Sequence, residues 1–456
     1  MFPLWVTLGW FLLMGAAAQA LLAGRSNRNL LDFLAETFLL GVGTSGLLIF
    51  GLMLGGVSMG APLLLAVAVT ALAILWVRGS ALLPVYGDRR YPILPSLLLL
   101  LPVLALLGRA AVLPLRDYDG RAFWILKGKA IALERGMIGD FFQGMGARNL
   151  HSEYPLLLPV DCAVLFRLTG DLDDHVILWL YALIAVAFLV TLRSGVGMLT
   201  TPQAGAWSAA LVAWLPFFLG GEGAAGSGYS DVPLAAFTAA AFFELSADDS
   251  SKLSASSRPF RIGVWLSFLL LTKNEGVVIA AALLLVHVAT ELRRIRRLPL
   301  QVLISWILPL AALALHSYWK TLVPLEYDEN YIGLARQLPE KLDMIPQAAS
   351  SLLAAALEWK AWGIFWMLVP VAPVVTLALG GSRGNVSALA LLLLVLAGYT
   401  ITYAVTNWNL AGLASVSRNR LFMHLLGPAV FLLASAGSKL TEGNSGLSRI
   451  SRENGD

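Results

Sequence analysis

Apolar segments long enough to cross a lipid bilayer recur along nearly the whole chain, and this repetition limits the possible folds more than any other feature. A transmembrane helix needs about 20 consecutive, predominantly apolar residues. Of the 456 residues, 58% are hydrophobic and 13% are charged, whereas soluble domains contain about 25% charged residues. The mean hydropathy is +0.75. The sequence therefore predicts an all-α polytopic protein that is integral to a membrane.

We predict thirteen transmembrane segments from these runs. The first run lacks the basic start and the small-residue cleavage site of a signal peptide, so we interpret it as a span. The segments 260–272 and 275–290 are short, and we expect a hairpin that turns at Thr272–Gly276. One long helix would instead hold Lys273 and Glu275 in hydrocarbon. The thirteen segments are 2–24, 34–55, 59–77, 93–113, 176–198, 204–221, 229–246, 260–272, 275–290, 299–319, 361–380, 385–406 and 420–437.

Lysine and arginine are concentrated in alternate loops, and this asymmetry predicts the orientation. Arg258 and Arg261 precede the hairpin and four arginines lie within 293–297, so both of its flanks are expected in the cytoplasm. The N-terminus is then outside and the C-terminus inside. Two large segments, 114–175 and 320–360, face the outside.

This topology divides the chain into three parts. Residues 1–92 hold three extra N-terminal helices, and residues 93–437 form the main transmembrane module. Residues 438–456 are rich in serine, glycine and charge, and we expect a disordered cytoplasmic tail there. In the first outer segment, residues 123–135 predict an amphipathic helix in the membrane interface, with Lys127 at headgroup level. Residues 342–357 predict a second interfacial helix.

The predicted orientation places the unusual polar residues of the chain on the outer face. An acid at a membrane surface can act as a general base toward a hydroxyl group. Lysine and arginine nearby can bind a phosphate and stabilise its charge as it leaves. Such a site suits the displacement of a sugar from a lipid phosphate. The residues are Asp117, Asp119, His151, Glu153, Tyr154, Tyr229, Asp231, Lys273, Glu275, Arg418 and Arg420.

Each of these groups also has a structural interpretation, which the sequence leaves open. Asp117 and Asp119 could start a helix, since acids favour a helix N-terminus, and His151 could be a solvated loop residue. The tryptophans near the ends of the spans could form an aromatic belt. The remaining structural interpretations are a helix cap for Asp231, a turn pair for Lys273 with Glu275, and interfacial anchors for Arg418 and Arg420.

Taken in order, the motifs over residues 93–435 resemble the GT-C superfamily of membrane glycosyltransferases, which use polyprenyl-phosphate sugars. Protein mannosyltransferases and the lipid A aminoarabinose transferase belong to it, and the chain is most similar to bacterial, family 39-like members. The matching features are Asp119 with Phe123-Trp124 and Lys127/Lys129, His151 to Pro155, Gly228 to Leu234, Thr272 to Gly276, and Ser415 or Ser417 through Arg420.

The resemblance implies a GT-C-like fold and inverting transfer of a monosaccharide from a polyprenyl-phosphate donor, such as an undecaprenyl-phosphate sugar. The acceptor would be a glycan, lipid or protein at the periplasmic face of a bacterial inner membrane. Asp119 is the expected general base, Asp117 is the alternative, and Glu153 is a further catalytic candidate. Donor binding is expected at Lys273, Arg420, Arg418, His151, Tyr154, Asp231, Glu275 and Lys127.

Two features depart from the family pattern. The three spans before residue 93 have no counterpart, and no sizeable outer domain follows the last span, which disfavours transfer of a whole oligosaccharide. No cofactor is expected, although Asp119 with Glu153 could hold a divalent metal ion through oxygen ligands. The single cysteine, Cys162, excludes an internal disulfide.

Two other classes of protein compete with a transferase. A transporter or flippase for a lipid-linked or polar substrate should hold ionisable groups near the middle of the bilayer and show repeated halves. We find no internal repeat and expect the charges at one interface. A scaffold protein would explain the spans but not the polar residues on one face. No nucleic-acid motif is present.

Overall fold

The computed structural model describes residues 2–22, 29–79, 91–144, 151, 153–247, 257–295, 300–323, 336–380 and 382–453. Within these ranges the chain is helical and has no β-strand, which confirms the predicted all-α class. The acidic stretch 326–331 and several basic loops that predict the orientation, among them 25–28 and 89–90, lie outside the described residues.

The described residues form a succession of helices. A π-helical turn spans Gly120–Ile125, and two 3₁₀ helices span Leu338–Met344 and Ala354–Leu357. The α-helices are α1 (Phe2–Leu22), α2 (Leu30–Leu54), α3 (Ala61–Arg78), α4 (Ile93–Val112), α5 (Leu126–Glu134), α6 (Asp140–Gln143), α7 (Leu157–Thr169), α8 (Asp174–Leu199), α9 (Pro202–Ala213), α10 (Pro216–Gly220), α11 (Asp231–Ser246), α12 (Arg258–Thr272), α13 (Glu275–Ile295), α14 (Leu300–Leu322), α15 (Ile345–Leu353), α16 (Trp359–Trp362), α17 (Phe365–Leu368), α18 (Val371–Ala378), α19 (Arg383–Val405), α20 (Leu410–Met423) and α21 (Leu426–Glu453).

Eight of the described helices are long and apolar enough to cross a membrane: α1, α2, α3, α4, α8, α13, α14 and α19. The pair α20 and α21 passes the same test as one broken segment with a bend of 55°. The chain is therefore an all-helical, polytopic membrane protein.

The other predicted segments are helical but shorter or interrupted. The segment 204–221 breaks between α9 and α10, where Leu215 is extended (φ −63°, ψ 127°) before Pro216. Proline disfavours helical geometry in the residue before it and lacks the N–H that would continue the helix. The segment 361–380 is divided among α16, α17 and α18.

Helices α1 and α2 touch through their backbones. A Cβ added at Gly15 would lie 1.7 Å from the carbonyl oxygen of Thr37, and one added at Gly41 would lie 1.7 Å from that of Phe11. Glycine on both helices thus removes the side chains that would hold them apart, as at many helix contacts in membranes.

The predicted hairpin turn is present between α12 and α13. Lys273 leaves the helix with an extended backbone (φ −160°, ψ 155°). A Cβ on Gly276 would lie 1.9 Å from the carbonyl oxygen of Leu269, whereas a continuous helix would separate residues seven apart by about 10 Å. The chain therefore folds back on itself, with Lys273 and Glu275 at the tip.

The last helix continues from the apolar part of the chain into the segment that the sequence assigns to a cytoplasmic tail. Helix α21 extends to Glu453, so most of residues 438–456 continue a helix that begins in the apolar part of the chain. Extending a helix that is already formed adds one hydrogen bond per residue and needs no new nucleation.

The prediction that Lys127 lies at headgroup level is wrong. Lys127 is 1% exposed, and α5 packs against α7 inside the protein. A Cβ on Gly128 would lie 2.6 Å from the Cβ of Cys162 and 3.0 Å from the carbonyl oxygen of Pro159. Glycine at this position allows the two helices to approach closely. Ala130, Ile131 and Ala132 of α5 are buried, whereas Leu133 is 66% exposed.

Candidate active site

Asp231 is the centre of a buried network of charged side chains. It is the first residue of α11, and its side chain is inaccessible to solvent. Lys273 Nζ donates to its Oδ1 at 2.8 Å, and Arg420 Nε donates to its Oδ2 at 3.0 Å. A buried carboxylate is tolerated when it is paired and hydrogen-bonded. Asp231 therefore joins the hairpin tip and α20 to the start of α11.

Arg420 connects this centre to the first outer segment. While its Nε binds Asp231, its Nη1 donates to Asp119 Oδ2 at 3.0 Å. The side chain of Asp119 is 20% exposed and that of Asp231 is 0% exposed. Asp119 is thus an acid of the network that a substrate can reach, whereas Asp231 is an internal anchor.

The hairpin tip supplies a second cation and a third acid. Lys273 Nζ lies 2.8 Å from Glu275 Oε1 as well as 2.8 Å from Asp231 Oδ1. Lys273 is buried, and Glu275 is 24% exposed. The pair is therefore both a turn pair and part of the site. Five predicted residues meet in this central network, namely Asp119, Asp231, Lys273, Glu275 and Arg420.

A buried tyrosine fixes the backbone beside Asp119. Tyr229 Oη accepts a hydrogen bond from the Asp119 N–H at 3.3 Å and donates one to Glu222 Oε1 at 3.0 Å. The Arg420 guanidinium lies over its ring, 4.6 Å from the ring centre. An ionised carboxylate can only accept hydrogen bonds, so Tyr229 is the donor to Glu222.

The π-helical turn begins directly after Asp119 and packs on the glycine-rich loop before α11. A Cβ on Gly120 would lie 2.4 Å from the carbonyl oxygen of Ser227 and 3.3 Å from the Cα of Gly228. No side chain fits between these backbones. The contact sets the position of Asp119 relative to the start of α11.

We expect Gly120→Ala to lower the free energy of unfolding by about 1–3 kcal/mol, because the carbonyl of Ser227 belongs to the backbone and cannot rotate away. Thermal unfolding of the purified protein in detergent measures this change. The matched control is Gly108→Ala in α4, where an added Cβ meets no atom within 4 Å; its stability should stay the same or rise. Equal melting temperatures for wild type and Gly120→Ala would contradict the described contact.

His424 and Tyr399 belong to the network, although the sequence analysis did not predict them. His424 Nε2 lies 2.9 Å from Asp231 Oδ1, and its Nδ1 lies 2.9 Å from Tyr399 Oη. Because the ionised Asp231 carboxylate can only accept hydrogen bonds, we assign the ring proton of His424 to Nε2. Nε2–H then donates to Asp231, and Tyr399 Oη donates to Nδ1. The spacing of Arg420 and His424 places both on one helix face. This i, i+4 pair is the signal in the sequence that could have identified His424.

Four predicted residues form an aromatic cluster beside the central network. Lys127 Nζ donates to the carbonyl oxygen of His151 and lies 5.9 Å and 5.7 Å from the ring centres of Trp124 and Tyr154. His151 stacks on Tyr154 at 4.7 Å, and its Nδ1 lies 3.5 Å from Glu153 Oε1. These contacts tie the members to one another. Tyr154 also interacts electrostatically with Arg420, so the cluster borders the network.

Asp117 and Arg418 form ion pairs outside the central network. Asp117 Oδ2 lies 3.4 Å from Nη2 of Arg109 at the end of α4. Burial raises the pKa of Asp117 above its ordinary value, although Arg109 opposes this. Arg418 Nη2 donates to Glu358 Oε2 at 3.0 Å and so ties α20 to the segment before α16. Of the two neighbouring acids, Asp119 is the one bound to Arg420.

A second charged network lies at the other ends of the same helices. Arg261, in the first turn of α12, binds Glu244 near the end of α11 at 3.0 Å and also binds Glu36 of α2. Thirteen positions along α11 separate Asp231 from Glu244, a distance of about 20 Å. The prediction that the charges gather at one interface is therefore wrong. The second network consists of Glu36, Glu244 and Arg261, and a separate ion pair joins Asp32 of α2, four positions before Glu36, to Arg193 of α8 at 2.6 Å.

Among the described residues, no group of three or more His, Cys, Asp or Glu side chains is placed to hold a metal ion. Asp119 and Glu153, the suggested oxygen ligands, belong to the central network and the aromatic cluster respectively. No family model matches the chain, and no curated protein or solved structure is detectably similar to it. The chemistry of the site is that of a reachable acid beside two cations, which can accept a proton and bind an anion at neighbouring positions.

Proposed function

We propose that the protein is a membrane glycosyltransferase, which transfers a monosaccharide from a polyprenyl-phosphate donor to a hydroxyl group of an acceptor. One observation supports this most: Arg420 binds both Asp231 and the reachable Asp119, and Lys273 binds the same Asp231. A candidate general base and two candidate phosphate-binding cations thus lie within one network.

The proposed reaction is an in-line displacement at the anomeric carbon. The acceptor hydroxyl gives its proton to Asp119, and its oxygen bonds to the anomeric carbon. The bond from that carbon to the phosphate oxygen breaks, and the electron pair stays on the phosphate. Arg420 and Lys273 stabilise the added negative charge. Attack and departure occur on opposite sides of the sugar, so the configuration at the anomeric carbon inverts.

The ordered resemblance to GT-C glycosyltransferases supports the same function. The GT-C fold, the thirteen-span topology and a site on the periplasmic face of a bacterial inner membrane are parts of this proposal. They agree with the position of Asp119, Lys273 and Arg420 at loops that the charge asymmetry predicts to be outside. A glycan, a lipid or a protein could each serve as the acceptor.

A second candidate is a transporter or flippase for a polar or lipid-linked substrate, and a specific observation favours it. Asp161 of α7 is fully buried, with the hydroxyl of Ser45 of α2 beside it, and it forms no ion pair with a described cation. It lies beside the middle of α2, since a Cβ on Gly46 would be 3.1 Å from its Oδ2. Transporters that open alternately to the two sides of a membrane use buried ionisable groups along the substrate path. Asp161, between the two charged networks, could serve as such a group.

Reconstitution in vesicles distinguishes the two functions. We would supply a panel of radiolabelled polyprenyl-phosphate monosaccharides, with membrane extract as the source of acceptor, and follow the label in the lipid-linked pool. The transferase predicts that one donor loses its sugar only in vesicles that contain the protein. Label that crosses the vesicle membrane on an intact donor would instead establish transport, and neither change for any donor would refute both functions.

A further inference from the structure

The cations of the central network are already bound by carboxylates in the described structure. Lys273 binds Asp231 and Glu275, and Arg420 binds Asp231 and Asp119. Three carboxylates against two cations leave a formal charge of −1 in this group. A phosphate that enters the site therefore meets a group whose net charge repels it. Arg420 Nη1 already donates to Asp119 Oδ2, so a phosphate that takes this position on Arg420 has to replace the Asp119 carboxylate.

The carboxylates differ in how readily they can leave. Asp231 is fully enclosed and accepts hydrogen bonds from Lys273, Arg420 and His424. Its departure would leave buried charges unpaired, which is strongly unfavourable. Asp119 is 20% exposed, and its carboxylate is held by a single described ion pair, to Arg420. Asp119 is thus the partner of Arg420 that solvent or a substrate can replace.

The surroundings of Asp119 and Arg420 allow this exchange without movement of the backbone. The N–H of Asp119 remains bound to Tyr229 Oη at 3.3 Å, so rotation about the side-chain bonds is sufficient. The guanidinium of Arg420 is held by Asp231 through Nε and by the Tyr229 ring beneath it. It therefore keeps its orientation when Nη1 changes partner.

We infer that the phosphate of the lipid donor displaces the Asp119 carboxylate from Arg420, and that this displacement releases the base for the acceptor. The inference rests on the proposed function and adds an order of binding to it. Without the donor, Asp119 Oδ2 is occupied by the hydrogen bond from Arg420 Nη1. With the donor bound, that oxygen is free to accept the proton of the acceptor hydroxyl. The donor therefore binds before the acceptor is activated.

The test is the affinity of the purified protein for a polyprenyl phosphate that carries no sugar, so the identity of the sugar is not needed. We would compare wild type, Asp119→Ala, Asp119→Asn and Asp117→Asn in lipid nanodiscs. Removal of the competing carboxylate should tighten Kd for Asp119→Ala by about tenfold, which corresponds to about 1.4 kcal/mol. Asp119→Asn should change in the same direction, and either variant suffices if the other does not fold.

Asp117→Asn is the matched control, because it removes the same charge two positions away from a carboxylate that pairs with Arg109 instead. Its Kd should equal that of wild type. An equal gain for Asp117→Asn would overturn the inference, since it would show a general effect of charge. Unchanged or weaker binding by both Asp119 variants would also overturn it, while leaving the transferase function in place. If wild type and all variants fail to bind polyprenyl phosphate, the proposed function itself fails.

Discussion

Asp119→Asn is expected to lower the rate of sugar transfer by about 10²–10⁴-fold, which is the range that a positioned general base contributes. Asparagine has nearly the same shape as aspartate but cannot accept the proton of the acceptor hydroxyl. The fold should persist, because Asp119 lies at the accessible edge of the network and Asp231 still holds Lys273 and Arg420. The measurement is the initial rate of sugar loss from the labelled donor in vesicles, with thermal unfolding to confirm that the variant is folded.

Asp117→Asn is the control for this experiment. Asp117 pairs with Arg109 and does not contact Arg420 through any described hydrogen bond, so we expect its rate to stay within a few-fold of wild type. Full activity of Asp119→Asn together with an inactive Asp117→Asn would transfer the role of base to Asp117.

Asp231→Ala is expected to lower the free energy of unfolding by about 3–5 kcal/mol, the usual effect of removing one partner from a buried ion pair. The substitution removes the hydrogen bonds from Lys273, Arg420 and His424 at once. Lys273 retains Glu275 and Arg420 retains Asp119. The donors that faced the buried Asp231 carboxylate are left without an acceptor. Thermal or denaturant-induced unfolding of the purified protein in detergent measures the effect.

A matched change in a more exposed ion pair shows whether burial is the cause. Asp174 lies 2.7 Å from Lys129, and the two side chains are 28% and 29% exposed. Asp174→Asn should lower the stability by less than about 1 kcal/mol, since solvent screens such pairs. If Asp231→Ala were no more destabilising than Asp174→Asn, the central network would not hold α11, α12 and α20 together as described.

The sequence predicted the positions of the long helices because bilayer-spanning apolar runs are a strong signal. It could not predict which apolar faces meet lipid and which meet protein, since both environments select the same residues. Helix α5 illustrates this. Its alternation of apolar and charged residues is typical of an interfacial helix, yet Lys127 is buried. A cation in this setting needs the carbonyl oxygen of His151 and the rings of Trp124 and Tyr154, which only the folded chain brings together.

Some residues of the candidate site could likewise be predicted from the sequence, and others could not. Lys273 and Asp231 stand out in the sequence because charged residues at the ends of apolar helices are rare and require a reason. The sequence could not distinguish Asp117 from Asp119 as the base. Side chains two positions apart at the start of a helical turn point in different directions and therefore contact different neighbours. His424 was not predicted because its spacing from Arg420 shows a shared helix face but not the shared partner, Asp231, which lies far away along the chain.

The distance along the chain between Asp119 and Arg420 has a consequence for biogenesis. Helices α1 and α2 are consecutive, so their glycine contact can form in the nascent chain as soon as both are inserted. The ion pair of Asp119 with Arg420 joins residues 301 positions apart, and it cannot form until nearly all the helices have been synthesised. Until then Asp119, Asp231 and Lys273 lack the arginine of the network. In a chain that ends before α20, Asp119 therefore lacks its described ion pair, and the site closes only when the last helices have been inserted.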